Sequence, residues 1–174
     1  MRTPDLNWIK DARVFQVNRL QSVQRPHIYN WKGQKPSSFS LNGTWKFNTT
    51  KNYDSCFKFF YNTEFNDSNW NDIQVPGHIQ LQGFDNPHYT DVTYPWDGHD
   101  VVKPGQIDMD KNKVYQYRKT FDCPQDFIGN KLILSFEGAE SNIYVWLNGK
   151  FIGYAEDSFT PSRFDITKYT QEKR

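Results

Sequence analysis

Residues 135–166, SFEGAESNIYVWLNGKFIGYAEDSFTPSRFDI, contain the longest apolar run of the chain and its clearest turn. Residues 143–147 (IYVWL) all favour strands, and residues 151–154 (FIGY) form a second short apolar run. Between them, Asn148 and Gly149 are the two residue types that accept positive φ in a type I′ turn. The stretch therefore predicts an antiparallel hairpin.

The first predicted strand of this hairpin carries apolar side chains at both alternating sets of positions. A strand with one face in water would instead alternate apolar and polar side chains. We therefore expect this strand to lie between a hydrophobic core and a second covering layer.

The composition is that of a domain with its own core. A chain of 174 residues should bury roughly two thirds of the surface that its unfolded form exposes. Aromatic residues make up 17% of the sequence. Such a content favours an all-β fold, and sugar-binding surfaces also need aromatic rings for stacking. We expect most of these rings to be core residues.

The charge pattern argues against several classes of partner. The formal net charge is +1 and there is no block of like charges, so neither nucleic acid nor an anionic membrane is an expected partner. The N-terminus has no apolar region typical of a secretion signal, and no segment approaches the ~20 apolar residues of a membrane span. We expect a soluble, cytoplasmic protein.

Cysteines and histidines give no metal-binding pattern. Cys56 and Cys123 are too few for a disulfide framework and lack ligand spacing. His78, His88 and His99 are too far apart along the chain for a compact ligand motif. We expect free thiols and no metal site in this chain.

The remaining pattern predicts short strands joined by turns. Strands are predicted at residues 43–47, 73–76, 115–121 and 131–136, a helical turn at residues 57–61, a long irregular loop at residues 77–113, and the approach to a further strand at residues 164–169. Several short strands with almost no helix predict an all-β fold, a β-sandwich of jelly-roll type. We expect the sandwich to lack its last strands.

Residues 1–36 differ from the body at residues 37–174. Their large apolar residues are scattered among polar ones and prolines, which predicts an extended N-terminal arm. Exposure of Trp8 and Trp31 would be unfavourable, so the arm is expected to lie on this domain, on a later domain or on another subunit. The alternative is an unstructured terminus.

Four acidic residues surround the predicted hairpin: Glu137, Glu140, Glu156 and Asp157. Glycoside hydrolysis needs two carboxylates roughly 5–10 Å apart on opposite sides of a sugar. Acids at strand ends also cap turns or pair with arginines such as Arg118 and Arg163. We favour this structural role and expect no catalytic residue in the chain.

Six segments occur together in the order found in one enzyme family. They are residues 40–47 (SLNGTWKF), 67–70 (DSNW), 75–84 (VPGHIQLQGF), 89–95 (YTDVTYP), 117–121 (YRKTF) and 136–161. Together they resemble the N-terminal sugar-binding domain of the family 2 β-galactosidases, which are glycoside hydrolases. The resemblance implies a jelly-roll, galactose-binding-domain-like β-sandwich with an extended N-terminal arm.

The resemblance also implies an activity that this chain does not complete. In the family, the catalytic glutamates and magnesium ligands lie in a later barrel, and a sodium-associated aspartate lies beyond residue 174. The chain is therefore expected to be an inactive fragment of an enzyme that hydrolyses terminal β-D-galactosides such as lactose. Its expected partners are the galactoside, the remaining domains or a complementing polypeptide, and further subunits of a homo-oligomer.

One loop of the family reaches the substrate pocket through the Asn and Val of a Tyr-Thr-Asn-Val-Thr-Tyr-Pro motif. The corresponding residues here are Asp91 and Val92, which the resemblance implies are substrate-binding. Asp91 departs from the motif. An ionised carboxylate only accepts hydrogen bonds, whereas an amide also donates them.

Three other functions remain open from the sequence. The chain could be a free-standing carbohydrate-binding module that uses aromatic residues such as Tyr94 and Trp96. It could be the N-terminal domain of a related β-glucuronidase or β-mannosidase, although residues 89–95 favour β-galactosidase. It could also be an assembly fragment that acts through residues 1–36.

Overall fold

A computed structural model describes residues 3–21, 38–87, 103 and 106–170. Within these ranges the regular secondary structure is mostly strand with very little helix, so the prediction of an all-β fold is confirmed. The strands are β1 (Gln16–Val17), β2 (Gly43–Thr50), β3 (Asn71–Val75), β4 (Val114–Arg118), β5 (Ile133–Phe136), β6 (Asn142–Leu147), β7 (Lys150–Glu156) and β8 (Ser162–Asp165). Short 3-10 helices span Leu6–Lys10, Tyr53–Ser55 and Gln125–Phe127, and the α-helix α1 spans Thr167–Thr170.

The chain divides into two compact units. The hairpin unit comprises Met1–Ser40, Tyr61–Thr63 and Asp122–Arg174, and the loop unit comprises Leu41–Phe60 and Glu64–Phe121. The hairpin unit contains sheets β1-β7-β6 and β5-β8, and the loop unit contains the sheet β3-β2-β4. The division into an arm at residues 1–36 and a body at residues 37–174 stays a prediction.

The predicted hairpin is formed by β6 and β7. Asn148 and Gly149 connect the strands with φ values of 50° and 77°, as a type I′ turn requires. Tyr144 lies opposite Tyr154, and a bulge follows Val145. The hairpin prediction is therefore confirmed.

Both faces of the hairpin are covered. One face packs against the β5-β8 sheet in a cluster whose buried members are Val145, Ile152, Ala155, Phe164, Ile166 and Tyr169. The other face packs against the N-terminal segment in a cluster of Val17, Phe151 and Tyr154 with Trp8, Ile9, Val14, Tyr144 and Trp146 at its edge. The prediction of two covering layers is confirmed, although the strand with the longest buried run is β7.

Residues 3–21 form the second covering layer of the hairpin unit. Val17 of β1 pairs with Tyr154 of β7 and is 3% exposed. Beyond β1, Arg19 forms an isolated bridge to Phe164, and the Leu20 amide donates to the Arg163 carbonyl at 2.8 Å. This segment therefore makes backbone contacts with both sheets of the unit.

The loop unit is built around β2. Phe47 of β2 is fully buried, and its ring centroid lies 4.8 Å from that of Phe84 and 4.9 Å from that of Tyr117. β3 ends at Val75, directly before Pro76, because proline cannot donate to the strand ladder. The strand prediction at residues 73–76 is confirmed.

Several predicted elements differ from the structure in their bounds or type. Residues 57–61 form no helix. The Phe57 amide donates to Gln116 Oε1 at 3.2 Å and Gln116 Nε2 donates to the Phe57 carbonyl at 3.0 Å, so the side chain of Gln116 bonds both backbone groups of Phe57. β4 ends at Arg118, before the predicted residue 121. After β8 the chain turns into α1, where the Asp165 carboxylate accepts from the Thr167 amide at 3.0 Å, so residues 167–170 are helical.

Candidate functional site

The predicted substrate-binding residues Asp91 and Val92 lie outside the described residues. The same holds for Tyr94 and Trp96, and for two of the histidines considered above. The structure does describe where the loop at residues 77–113 leaves and rejoins the loop unit. The candidate site is therefore built from the base of this loop.

The first part of the loop folds back onto β3. The Gln74 amide donates to Gln82 Oε1 at 2.8 Å, and Gln82 Nε2 donates to the Gln74 carbonyl at 3.0 Å. Gly77 makes this close return possible, because a Cβ at this position would lie 2.5 Å from Gln82 Nε2 and 2.9 Å from the Gln74 carbonyl. The Phe84 amide donates to the Ile79 carbonyl at 3.0 Å, which closes the turn.

The last part of the loop is attached near the end of β2. Asn52 Nδ2 donates to the Asp110 carbonyl at 3.3 Å. The Asp110 amide in turn donates to Asp108 Oδ1 at 3.0 Å. Thr50 of β2 donates through its hydroxyl to the Val114 carbonyl at 3.3 Å. These bonds fix the chain as it enters β4.

The two parts of the loop meet at a buried carboxylate, Asp85. Its side chain is 3% exposed and accepts hydrogen bonds from the Lys113 ammonium, the Tyr115 hydroxyl and, at 2.7 Å, the Asn86 amide. Burial alone would raise the pKa of Asp85, but the bonds from Lys113, Tyr115 and Asn86 together outweigh it and lower the pKa to about 2. We call Asp85, Lys113 and Tyr115 the Asp85 cluster.

The acids around the hairpin have local structural partners. Ser135 donates to Glu137 Oε1 at 2.6 Å, and the buried hydroxyl of Tyr154 donates to Glu156. Asp157 Oδ1 accepts from the Phe159 amide at 2.9 Å, in a turn where Asp157 itself has a φ of 89°. The Thr160 side chain, followed by the Phe159 amide, lowers the pKa of Asp157. Glu140 is exposed.

The two arginines considered as partners of these acids make other bonds. Arg118 Nε donates to Asp67 Oδ2 at 2.7 Å, within the loop unit. Arg163 Nε donates to Ser135 Oγ at 3.4 Å, and that hydroxyl is the one that donates to Glu137. These contacts are those of a structural network.

A cavity of about 350 Å³ lies beside the hairpin acids. It is lined by Phe15, Gln16, Arg19, Glu156, Asp157 and Thr160. The guanidinium of Arg19 donates to three backbone carbonyls, those of Glu156 at 3.1 Å, Thr160 at 3.1 Å and Pro161 at 3.3 Å. Its cationic group therefore holds the turn after β7 in place.

The part of the chain that the structure describes contains no group of three or more His, Cys, Asp or Glu residues that could hold a metal ion. Cys56 and Cys123 are free thiols, and burial raises the pKa of Cys56. Within the same residues there is no helix long and apolar enough to cross a membrane.

Sequence reasoning did not identify Arg19 or the Asp85 cluster. The pairs involved are far apart in sequence, since Lys113 lies 28 positions after Asp85 and Glu156 lies 137 positions after Arg19.

Comparison with known proteins gives the family. Residues 39–174 match the family model described as glycosyl hydrolases family 2, sugar binding domain. The β-galactosidase of Halalkalibacterium halodurans is 46% identical over 175 residues, which cover 97% of this chain and 17% of that protein. The β-galactosidase large subunit of Leuconostoc lactis is 40% identical over 185 residues, which cover 97% of this chain and 30% of that protein.

A solved structure shows the same fold at lower identity. The β-glucuronidase of Bifidobacterium dentium, in complex with coumarin-3-O-glucuronide, is 21% identical with a TM-score of 0.52, over 79% of this chain and 19% of that one. The present chain thus spans less than a third of each of these relatives. Because the family model covers most of the chain, the chain belongs to glycosyl hydrolases family 2 and contains its sugar-binding domain.

Proposed function

We propose that this chain is the N-terminal domain of a retaining β-galactosidase that hydrolyses terminal β-D-galactosides such as lactose. The observation that carries the proposal is the identity of 38–46% to β-galactosidases over nearly the whole chain. The local bonds of Glu137, Glu156 and Asp157 support the view that the reacting carboxylates belong to a barrel outside this chain.

The contribution of the chain to the sugar pocket is the loop at residues 77–113. Asp91 accepts a hydrogen bond from a sugar hydroxyl, and Val92 contacts the sugar beside it. A carboxylate at position 91 selects a donating hydroxyl, because an ionised carboxylate has no proton to offer. The alternative of a β-glucuronidase domain is supported less, because the Bifidobacterium dentium β-glucuronidase is 21% identical, compared with 38–46% for the β-galactosidases.

The proposal includes partners beyond this chain. The remaining domains, or a complementing polypeptide, complete the enzyme, and the full-length protein is a cytoplasmic homo-oligomer. The Leuconostoc lactis relative is named a large subunit, which supports a role for a second polypeptide in part of the family. Magnesium and sodium, as used by the full-length enzyme, are bound by residues outside this chain.

A chimera tests the proposed role of Asp91. This chain replaces the matching segment of the Halalkalibacterium halodurans β-galactosidase, and hydrolysis of a nitrophenyl β-galactoside is measured. Asp91→Ala should raise KM about tenfold or more, because a hydrogen bond to a charged group contributes roughly 1.5–3 kcal/mol. Asp72→Ala, at a side chain that is 60% exposed, is the matched control and should leave KM unchanged.

Activity and binding assays on the isolated chain test the proposal further. It should not hydrolyse the galactoside. Turnover by the isolated chain that survives Asp91→Ala but is lost with Glu137→Ala or Glu156→Ala would contradict the proposal. Clear calorimetric binding of galactose or lactose by the isolated chain would favour a free-standing carbohydrate-binding module.

A further inference from the structure

We propose that Asp85, Lys113 and Tyr115 hold together the two ends of segment 86–112 and thereby set the affinity of the sugar pocket to which that segment contributes. They are positioning residues, since they act through the segment that they close. The link to galactoside affinity rests on the proposed function. The link between the two chain ends rests on the Asp85 cluster itself.

The buried side chain of Asp85 depends on its hydrogen-bonding partners. Its side chain is 3% exposed, whereas that of Lys113 is 46% exposed. A carboxylate removed from water is unfavourable unless charged or hydrogen-bonding groups compensate it. Lys113 and Tyr115 provide that compensation, one with an ammonium group and one with a hydroxyl. Loss of either partner therefore favours a movement of Asp85 into water.

The Asp85 cluster connects residues that are far apart along the chain. Asp85 precedes Lys113 by 28 residues and Tyr115 by 30 residues. Contacts between residues this far apart must offset the entropy lost on closing a long loop. Asp91 and Val92 belong to the closed segment. The cluster thus fixes the two chain ends between which both residues lie in the sequence.

The Asp85 cluster is supported by Phe47 of β2. Tyr115 belongs to β4, and its ring stacks on that of Phe47 with centroids 6.1 Å apart and an interplanar angle of 14°. Phe84, the residue before Asp85, packs on the same Phe47 ring at 4.8 Å. Phe84 and Tyr115, which flank the segment in the sequence, therefore both pack on the same fully buried residue of the sheet. A binding loop gains precision from this kind of support.

Hydrogen–deuterium exchange on the 174-residue chain tests the connection between the ends. Asp85→Asn, Lys113→Met and the double variant should each accelerate exchange in peptides from segment 86–112 by about tenfold. Because the pair acts as one unit, the double variant should exchange no faster than the single variants. Peptides from β6 and β7 should keep their exchange rates.

Two further variants keep this test decisive. Lys46→Met removes an ion pair of the same unit, Lys46 with Asp72 at 2.8 Å, and should leave the segment unchanged. Tyr115→Phe removes only the hydroxyl and retains the stack on Phe47, so it serves if Asp85→Asn does not fold. Unchanged exchange in both Lys113→Met and Tyr115→Phe would overturn the proposal.

Kinetics of the chimera test the consequence for the pocket. Asp85→Asn and Lys113→Met should raise KM for the nitrophenyl β-galactoside about tenfold, with a smaller change in kcat, and Lys113→Arg should restore the wild-type value. Faster exchange with an unchanged KM would overturn the positioning role. A chimera without any β-galactosidase activity would contradict the proposed function instead, and the exchange experiment would still decide whether the cluster holds the segment.

Discussion

Gly153 lies where β7 passes over β8, and a methyl group there has no room. A Cβ would lie 2.5 Å from a ring carbon of Phe164 and 2.6 Å from the Val17 carbonyl. Phe164 is fully buried and the Val17 atom belongs to the backbone, so neither neighbour can move aside easily. Gly153→Ala should therefore lower the free energy of unfolding by about 3 kcal/mol, measured by urea denaturation.

Gly138→Ala is the matched control for this substitution. A Cβ at position 138 would meet the Ser158 carbonyl at 3.2 Å, a tight contact that a shift of a few tenths of an ångström relieves at this exposed position. We expect a loss of less than about 1 kcal/mol. Equal stability of the Gly153→Ala variant and the wild-type chain would show that the two sheets do not pack as closely as described.

Asp85 shows what sequence patterns leave out at the scale of a single residue. Its neighbours along the chain indicate a loop, and the type of residue indicates an exposed acid. Its burial is compensated instead by Lys113 and Tyr115, which lie 28 and 30 positions further along the chain. No local periodicity records such a contact, so the residue could not be predicted as part of the site.

At the scale of elements, the hairpin was predictable because its determinants are adjacent. Asn148 and Gly149 fix the turn, and the continuous apolar runs on either side of it indicate two strands that are covered on both faces. The N-terminal segment is the opposite case. Gln16 of β1 pairs with Ala155 of β7, and scattered apolar residues gave no indication of which strand they would cover.

The N-terminal segment is part of the hydrophobic core, and this gives a prediction. Trp8 stacks on Tyr144 with centroids 6.0 Å apart and lies 5.5 Å from the ring of Tyr154. Trp8→Ala should lower the free energy of unfolding by about 2 kcal/mol, less than for a fully buried tryptophan because Trp8 is partly exposed. Urea denaturation followed by circular dichroism measures the change.

Arg13→Ala is the control in the same segment. Its side chain is 88% exposed and its only described ion pair is with nearby Asp11. Substitution at such a position should change the free energy of unfolding by no more than about 0.5 kcal/mol. If Trp8→Ala were no more destabilising than Arg13→Ala, the segment would not be a covering layer of the hairpin.

At the scale of the whole molecule, the order of six short motifs along the chain indicated the family more strongly than any single strand or turn. The six segments that resemble the family 2 β-galactosidases agree with the family match over residues 39–174. The predicted contacts of Asp91 and Val92 depend on residues beyond this chain, which spans 17% of one relative and 30% of another. The residues of a pocket that several domains form together cannot all be predicted from the sequence of one domain.

We propose that this chain supplies binding and assembly contacts to a β-galactosidase whose catalytic residues lie outside it. The most direct measurement compares kcat/KM for a nitrophenyl β-galactoside among three preparations: the chain alone, the Halalkalibacterium halodurans relative without its matching segment, and the chimera of the two. We expect activity in the chimera and none in either part alone. Activity in the chain alone, or a chimera no more active than the truncated relative, would contradict it.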